Sequence, residues 1–500
     1  MENEGRFAVR SLEGGHKMQK RKRFGKLSLA TALCVALAGC TEKSPEPEVP
    51  PTPVPGQETQ CATATPAPPT PTEIPYRNLD GMEIIIGDFF TPEELPSGGM
   101  RDPIDVYRDE MMEKYNFCLK RKTVAGWGEI EEDYVTSVQK GEPIAHVVEL
   151  DYRFIARPFK KGLFYDLATL DELDFSERKW NANVCKLMTV GNSVYGMQPE
   201  PTTDCVGVIF NKRLFEEAGL SPDLPYDLQA AGEWTWSKFE ELCGILTRDT
   251  DGDGQTDVYA TVSHGAVTLQ ALVASTDSDF VGKEENGTFY NNSSSKNVTD
   301  AVNYAVGLYQ KGYEMPQPED TYWDYFVEAF QKGKAAMQFY DVWTCGHSYY
   351  YGDNMKDEVG FVMPPKPDGA DNYHSYAYFN VAVIPSCFDA ETAGNIAYAY
   401  NLYTTPMKKY DDPEKWKWEF DSYCDERAVN ETLAYFQDGE SVISMNQLLV
   451  DKFDDVVGPD FLWMYPFKEV TPEEQVKKIS EEWDALIEEA NRGRENTDEE

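Results

Sequence analysis

Hydrophobic and polar positions change period several times between residues 82 and 150. Met82-Glu83-Ile84-Ile85-Ile86-Gly87 is a β-branched run closed by glycine, the pattern of a buried strand. From Ile104 to Tyr115 the apolar residues Val106, Tyr107, Met111 and Met112 recur at helical spacing. A strand is predicted near Cys118 to Val124, a helix near Ile130 to Val138 and a third strand over Ala145 to Leu150. Strand, helix, strand, helix, strand is the order of a parallel sheet covered by helices, whose ligand crevice forms at the carboxyl ends of the strands. The loops at those ends begin at Asp88-Phe89-Phe90, Gly126-Trp127-Gly128 and Asp151-Tyr152-Arg153.

A second set of elements follows. Val206 to Lys212 is β-rich and leads into a helix around Leu214 to Ala218. Thr235 is a good N-cap for a helix whose apolar face runs through Phe239, Leu242 and Leu246. Residues 283–298, rich in Asn, Ser and Gly, predict an exposed hairpin or loop, and Val302 to Tyr313 an amphipathic helix. Phe326 to Lys332 predicts a helix ended by Gly333, with a buried strand after it that runs on toward Trp343. Val359 to Met363 and Val381 to Ile384 predict two more strands. The last third reads as mostly helical and closes on Thr471-Pro472-Glu473-Glu474, a capped start with proline at its first position.

The first 76 residues have a different character. A basic run, Lys20 to Arg23 with Lys26, precedes an apolar stretch from Leu27 to Leu37, too short for the roughly 20 residues a bilayer-spanning helix needs. This is the form of a secretory signal over residues 1–39. Leu37-Ala38-Gly39-Cys40 resembles a lipoprotein lipobox, which implies diacylation of Cys40 and a stable two-chain lipid anchor on the outer face of a bacterial cytoplasmic membrane. Residues 41–76 hold eleven prolines and seven threonines, and predict an extended spacer without a core.

Charge and cysteine narrow the function classes. The chain carries a net −41, and residues 1–39 contribute eight basic against three acidic side chains, so the remainder is more acidic still. Such a surface repels phosphate backbones and excludes nucleic acid as a partner. Seven cysteines beyond the spacer, Cys118, Cys185, Cys205, Cys243, Cys345, Cys387 and Cys424, have the irregular spacing of core residues rather than of a disulfide or zinc framework. There is no Gly-x-Ser-x-Gly, no His-Glu-x-x-His, and the five histidines have no ligand spacing, so no enzymatic site is expected.

Four motifs in order carry a resemblance. Gly196-Met197-Gln198-Pro199 followed by Ile209-Phe210-Asn211-Lys212-Arg213-Leu214-Phe215 is similar to a "Y-x-x-P … YNK-x-LF" segment. Trp234-Thr235-Trp236 with Phe239 is similar to a "TW-[DE]-E" helix start, and Phe330 to Met337 ending at Trp343 to "F-x-x-GKAAM … W". Thr471-Pro472-Glu473-Glu474 up to Leu486 is similar to a closing "T-P-E-E-A" helix. Together they resemble the extracellular solute-binding lipoproteins of ABC importers, in the sugar-binding branch that includes maltose-binding protein. The resemblance implies an α/β fold of two lobes joined by crossing strands and closing like a hinge. Lobe one is expected over 77–198 plus 364–405 and lobe two over 199–363 plus 406–500. It implies a monomeric receptor that takes a small solute, a carbohydrate, to an ABC permease and needs no cofactor. Receptors for a peptide or another solute, and a surface polysaccharide hydrolase using a carboxylate pair, are the alternatives.

A sugar site needs aromatic faces for C–H stacking and carboxyl or amide groups for hydroxyls. The resemblance implies stacking by Trp343 and Trp463 and a hydrogen bond from solute to Asp204. The strand-exit loops add Asp88, Asp151 and Trp127, and Tyr340, Tyr376 and Tyr378 are further aromatic candidates. Asp249-Thr250-Asp251-Gly252-Asp253-Gly254-Gln255-Thr256-Asp257 offers oxygen ligands at positions 1, 3, 5 and 9 with glycine at 6. Asp249, Asp251, Asp253, Gln255 and Asp257 are the ligands expected of a structural Ca²⁺. Ala260 stands where an EF-hand has its bidentate Glu, which leaves an acidic β-turn as the other reading.

Overall fold

The computed structural model describes residues 75–91, 103–199, 201–202, 204–319, 321–322, 324–347, 350–352, 354–407, 414, 416–417, 425–437 and 439–495. The expected signal, Cys40 and the spacer up to residue 74 lie outside them.

The first lobe is built from β1 (Met82–Asp88), α1 (Pro103–Tyr115), β2 (Phe117–Thr123), α2 (Ile130–Gln139), β3 (Val147–Leu150), α3 (Ala156–Lys160) and α4 (Ala182–Met188), with a small hairpin of β4 (Thr189–Val190) and β5 (Ser193–Val194). β1 lies parallel to both β2 and β3 at the centre of the sheet. Ile84, Ile86, Val147 and Val148 are fully buried, as a strand covered on both faces requires. Gly87 lets β1 close on its neighbours, because a Cβ there would stand 2.8 Å from Ala145 Cβ and 2.9 Å from Val124.

The second lobe starts with β6 (Asp204–Asn211), α5 (Lys212–Glu217), α6 (Leu224–Ala230), α7 (Trp236–Leu246), β7 (Tyr259–Thr261), α8 (Gly265–Ala274), β8 (Val281–Lys283), β9 (Phe289–Asn291) and α9 (Lys296–Gln310). It continues with α10 (Tyr325–Gln331), β10 (Ala335–Asp341), β11 (Val359–Val362) and β12 (Ala377–Tyr378). Its sheet runs β11-β6-β10-β7, with β12 paired to the start of β6. β10 is antiparallel to β6 and parallel to β7.

β13 (Val381–Val383) then pairs antiparallel with β3, returning the chain to the first sheet, and α11 (Ala390–Thr404) packs there. Two antiparallel crossings join the lobes. Met197 and Ala382 exchange backbone hydrogen bonds of 2.9 and 2.8 Å, and Tyr378 is in register with Asp204. The expected lobe-one segment 364–405 is therefore divided. Residues up to Tyr378 stay with the second sheet, held by Lys366 to Trp234 and Ser375 to Ser441 backbone bonds, and only Val381 onward joins the first.

The Asn/Ser-rich stretch holds the expected hairpin, β8–β9, while two other expectations change. Ser295 caps α9, which begins six residues before the predicted start, by accepting the Val298 amide at 3.4 Å. The last third is less regular than expected: short 3-10 and π turns fill much of Ala428–Leu449 before α12 (Phe453–Asp460) and α13 (Pro472–Glu495). α13 buries Trp483 against Phe280, Phe453 and Phe461. Its Glu489 reaches Lys160 of α3 at 2.6 Å, so the closing helix touches both lobes.

Among the described residues six cysteines are free: Cys205, Cys243 and Cys345 are buried as expected of core residues, Cys118 and Cys185 are half-buried, and Cys387 is exposed. Cys424 lies outside the described residues.

Candidate functional site

The loops at the carboxyl ends of β1, β2 and β3 form one wall. Asp88 was expected to meet solute, yet it is fully buried and its carboxylate is committed to its own loop. It accepts from Phe90 N at 3.0 Å, Thr91 N at 2.8 Å and Thr91 Oγ1 at 2.5 Å, with Arg121 Nη1 at 3.6 Å. Its role is to shape the turn that leaves Phe90 exposed. Asp151 is likewise buried and acts through its neighbours. It accepts from Arg153 N at 3.0 Å, Arg153 Nε at 2.8 Å, Arg153 Nη2 at 2.8 Å and Trp127 Nε1 at 3.1 Å. The half-buried Trp127 ring is thereby fixed, with the Arg153 guanidinium 4.7 Å from its centroid and Phe154 at 4.9 Å. Burial works against the Arg153 charge, but the Asp151 hydrogen bonds outweigh it and hold its pKa above the ordinary value.

The crossing strands supply the floor. Tyr378 stacks on Tyr152 at 4.3 Å between ring centroids, so an aromatic pair bridges the first lobe and the crossing. The Tyr378 hydroxyl donates to Gln270 Oε1 at 3.2 Å. Tyr376 is fully buried, 3.5 Å from Tyr378 hydroxyl to hydroxyl, and backs that ring instead of presenting its own.

The second wall comes from the end of β10. Tyr340 packs on Phe326 at 5.2 Å and on Tyr350 at 6.0 Å. Asp341 ends the strand, and a 3-10 turn, Val342–Cys345, carries the half-buried Trp343, edge-on to His347 and Tyr350. Asp204 stands at the start of β6, two residues before Val206, the register partner of Asp341. Burial and the Asp204 charge push the Asp341 carboxyl well above the usual carboxylate range, and its Oδ1 is buried without a hydrogen-bond partner. Trp463 is 58% exposed on the short turn after α12, resting against Gly458.

The residues not expected from sequence are Tyr152, Arg153, Gln270, Asp341 and Tyr350. Tyr152 and Arg153 adjoin Asp151 in a strand-exit loop and were within reach of the same reasoning. Gln270 sits on a largely buried helix, where nothing in the local pattern marks it.

In the acidic loop, carboxylate oxygens of Asp249, Asp251 and Asp257 lie within 4.8 Å of one another. Gly254 and Gly252 amides bind Asp249, and Thr250 binds Asp257, lowering both pKa values. Three of the five expected ligands thus lie close together. Asp253 and Gln255 bond instead to each other. A concavity of about 460 Å³ lies on the second lobe between Trp236, Asp277, Asp300, Asp371 and His374.

The family model of bacterial extracellular solute-binding proteins matches residues 122–420. The chain belongs to this family. It is a non-enzymatic solute-binding protein of ABC transport. No curated relative matches it in sequence. Among solved structures, the sugar-binding protein MalE of Xanthomonas citri is similar over 84% of this chain and 100% of its own, at 14% identity and a TM-score of 0.57. MalE of Listeria monocytogenes, in complex with maltose, is similar over 83% and 99%, at 15% identity and 0.56. An ABC transporter solute-binding protein of Thermotoga lettingae, bound to α-D-tagatose, is similar over 81% and 100%, at 16% identity and 0.52. These likenesses establish the two-lobed α/β fold expected from the motif order.

Proposed function

We propose that this protein captures a carbohydrate, an oligosaccharide, between its lobes and delivers it to a membrane permease. The observation that carries the proposal is the placement of aromatic rings and carboxyl groups at the strand ends of both sheets, with Tyr152 stacked on Tyr378 of the crossing. Trp127 and Tyr152 come from one lobe, Tyr340, Asp341 and Trp343 from the other, and Tyr378 from the crossing between them. Sugar rings stack their C–H faces on such rings and donate hydroxyls to such carboxyls. The maltose and tagatose complexes among the similar structures favour the same class of solute.

Diacylation of Cys40 with the proline-rich spacer fits this role, since a tether keeps the receptor at high local concentration beside its permease. Asp249, Asp251 and Asp257 are proposed to hold a structural Ca²⁺ that pins the loop.

The test is a thermal-shift screen of mono- and oligosaccharides. At least one oligosaccharide is expected to stabilise the protein by about 3–4 kcal/mol at 100 to 1,000 times its Kd. No stabilisation by any saccharide, with stabilisation by short peptides, would transfer the proposal to a peptide solute.

A further inference from the structure

Phe90 is a large apolar side chain left 47% exposed just beyond the carboxyl end of β1, and the loop around it is built to keep it there. The Asp88 carboxylate accepts from the Phe90 amide at 3.0 Å and from the Thr91 amide at 2.8 Å, which closes the turn. The Thr91 carbonyl accepts from Thr123 Oγ1 at 2.7 Å and the Asp88 carbonyl from the Val124 amide at 2.9 Å, so the turn is also tied to the end of β2. The Phe90 ring stands perpendicular to Phe89 at 5.1 Å, and the Arg121 guanidinium lies over it, 5.8 Å from its centroid. Arg121 is held in turn by Glu149, Nη1 to Oε2 at 3.0 Å. A ring fixed by so many contacts and still half open to solvent is a preorganised apolar surface, whose ordering needs nothing further from what lands on it.

Its place is the rim of the strand-end crevice. β1 is parallel to β2 and β3, with Asp88 in register with Thr123 and Gly87 with Val148, so Phe90 leaves the sheet at the end from which the loops bearing Trp127 and Tyr152 also leave. Those two rings, like Tyr340, Trp343 and Tyr378, are half-buried, whereas Phe90 is exposed. Building on the carbohydrate proposal, we infer that Phe90 is the outer stacking platform of the crevice and selects for the length of the saccharide. A phenylalanine ring has no hydrogen-bonding group, so it reads the presence of one more sugar ring by C–H stacking and is indifferent to the configuration of its hydroxyls. A short saccharide seated on the half-buried rings does not reach it; a longer one does.

The test titrates the full chain by calorimetry with two series of probes, maltose to maltotetraose and cellobiose to cellotetraose. In the series that binds, affinity is expected to rise about fivefold or more from the disaccharide to the tetrasaccharide. Phe90→Ala should weaken the tetrasaccharide about 3- to 10-fold and leave the disaccharide within about twofold. Phe90→Trp, which keeps an aromatic face at the rim, should retain the length preference, a result that a merely structural role for the loop would not give. Affinity independent of length, or an equal loss at every length in Phe90→Ala, would overturn the inference and leave the carbohydrate receptor standing. Absence of heat with every member of both series, together with absence of stabilisation by any saccharide, would overturn both.

Discussion

Asp151 shows how a residue shapes a site it does not touch. Its oxygens fix Arg153 and the Trp127 indole, so Asp151→Ala leaves the ring free to turn and the guanidinium without its acceptor. A charged hydrogen bond contributes about 1.5–3 kcal/mol, and solute affinity is expected to drop roughly tenfold or more by titration calorimetry, with the fold retained by circular dichroism. The sequence reveals that Asp88 and Asp151 leave strands toward a crevice. It does not reveal that each would be used up by its own loop, because that depends on an arginine and a tryptophan whose positions the tertiary fold decides. Buried carboxyls elsewhere give a pH signature. Burial raises Glu314 to about 7, countered in part by the Tyr465 hydroxyl 2.5 Å away, and raises Asp279 to about 7. Below their unfolded pKa values, near 4.5 and 3.8, both groups are protonated in either state and cost nothing. Between there and pH 7 the unfolded chain ionises first, so stability falls as pH rises. Glu314→Gln is expected to raise the melting temperature at pH 8 and to leave it unchanged at pH 4; equal shifts at both would contradict this origin.

At the scale of elements, periodicity located most strands and helices within a few residues. It failed at a boundary where a polar residue did local work: Ser295 as a cap starts α9 six residues early, inside the end of the stretch expected as a hairpin or loop. It failed again over Ala428–Leu449, where burial without a regular period gives short turns instead of helices. α13 closes the fold by its one large apolar anchor. Trp483 is fully buried among three phenylalanines, and Trp483→Ala should cost about 3–5 kcal/mol in denaturant unfolding. A loss under about 1 kcal/mol would mean that the helix is not integral to the core. The acidic loop before β7 makes a separate prediction. Calcium added to chelator-treated protein should raise the melting temperature, and Asp249→Asn with Asp257→Asn should abolish the shift. No shift at millimolar calcium would leave the loop as an acidic turn.

The whole molecule is two sheets joined by antiparallel crossings at Met197–Ala382 and Asp204–Tyr378. Alternation of strands and helices foretold the first sheet, and motif order foretold the second. The exact return point was hidden: the motif order put residues 364–378 in the first lobe, and only the pairing of Tyr378 with β6 and of Lys366 with Trp234 assigns them to the second. Under the proposed function, a solute ring touching aromatic residues of both sheets and of the crossing would favour a closed arrangement of the lobes and so couple capture to closure. The most direct test is calorimetric titration of the full chain with the oligosaccharide that stabilises it most, alongside Trp343→Ala. One solute per chain, with affinity at least tenfold weaker in the variant, is the predicted result. Absence of heat with every saccharide, or affinity unchanged by loss of Trp343, would contradict a sugar held between the lobes.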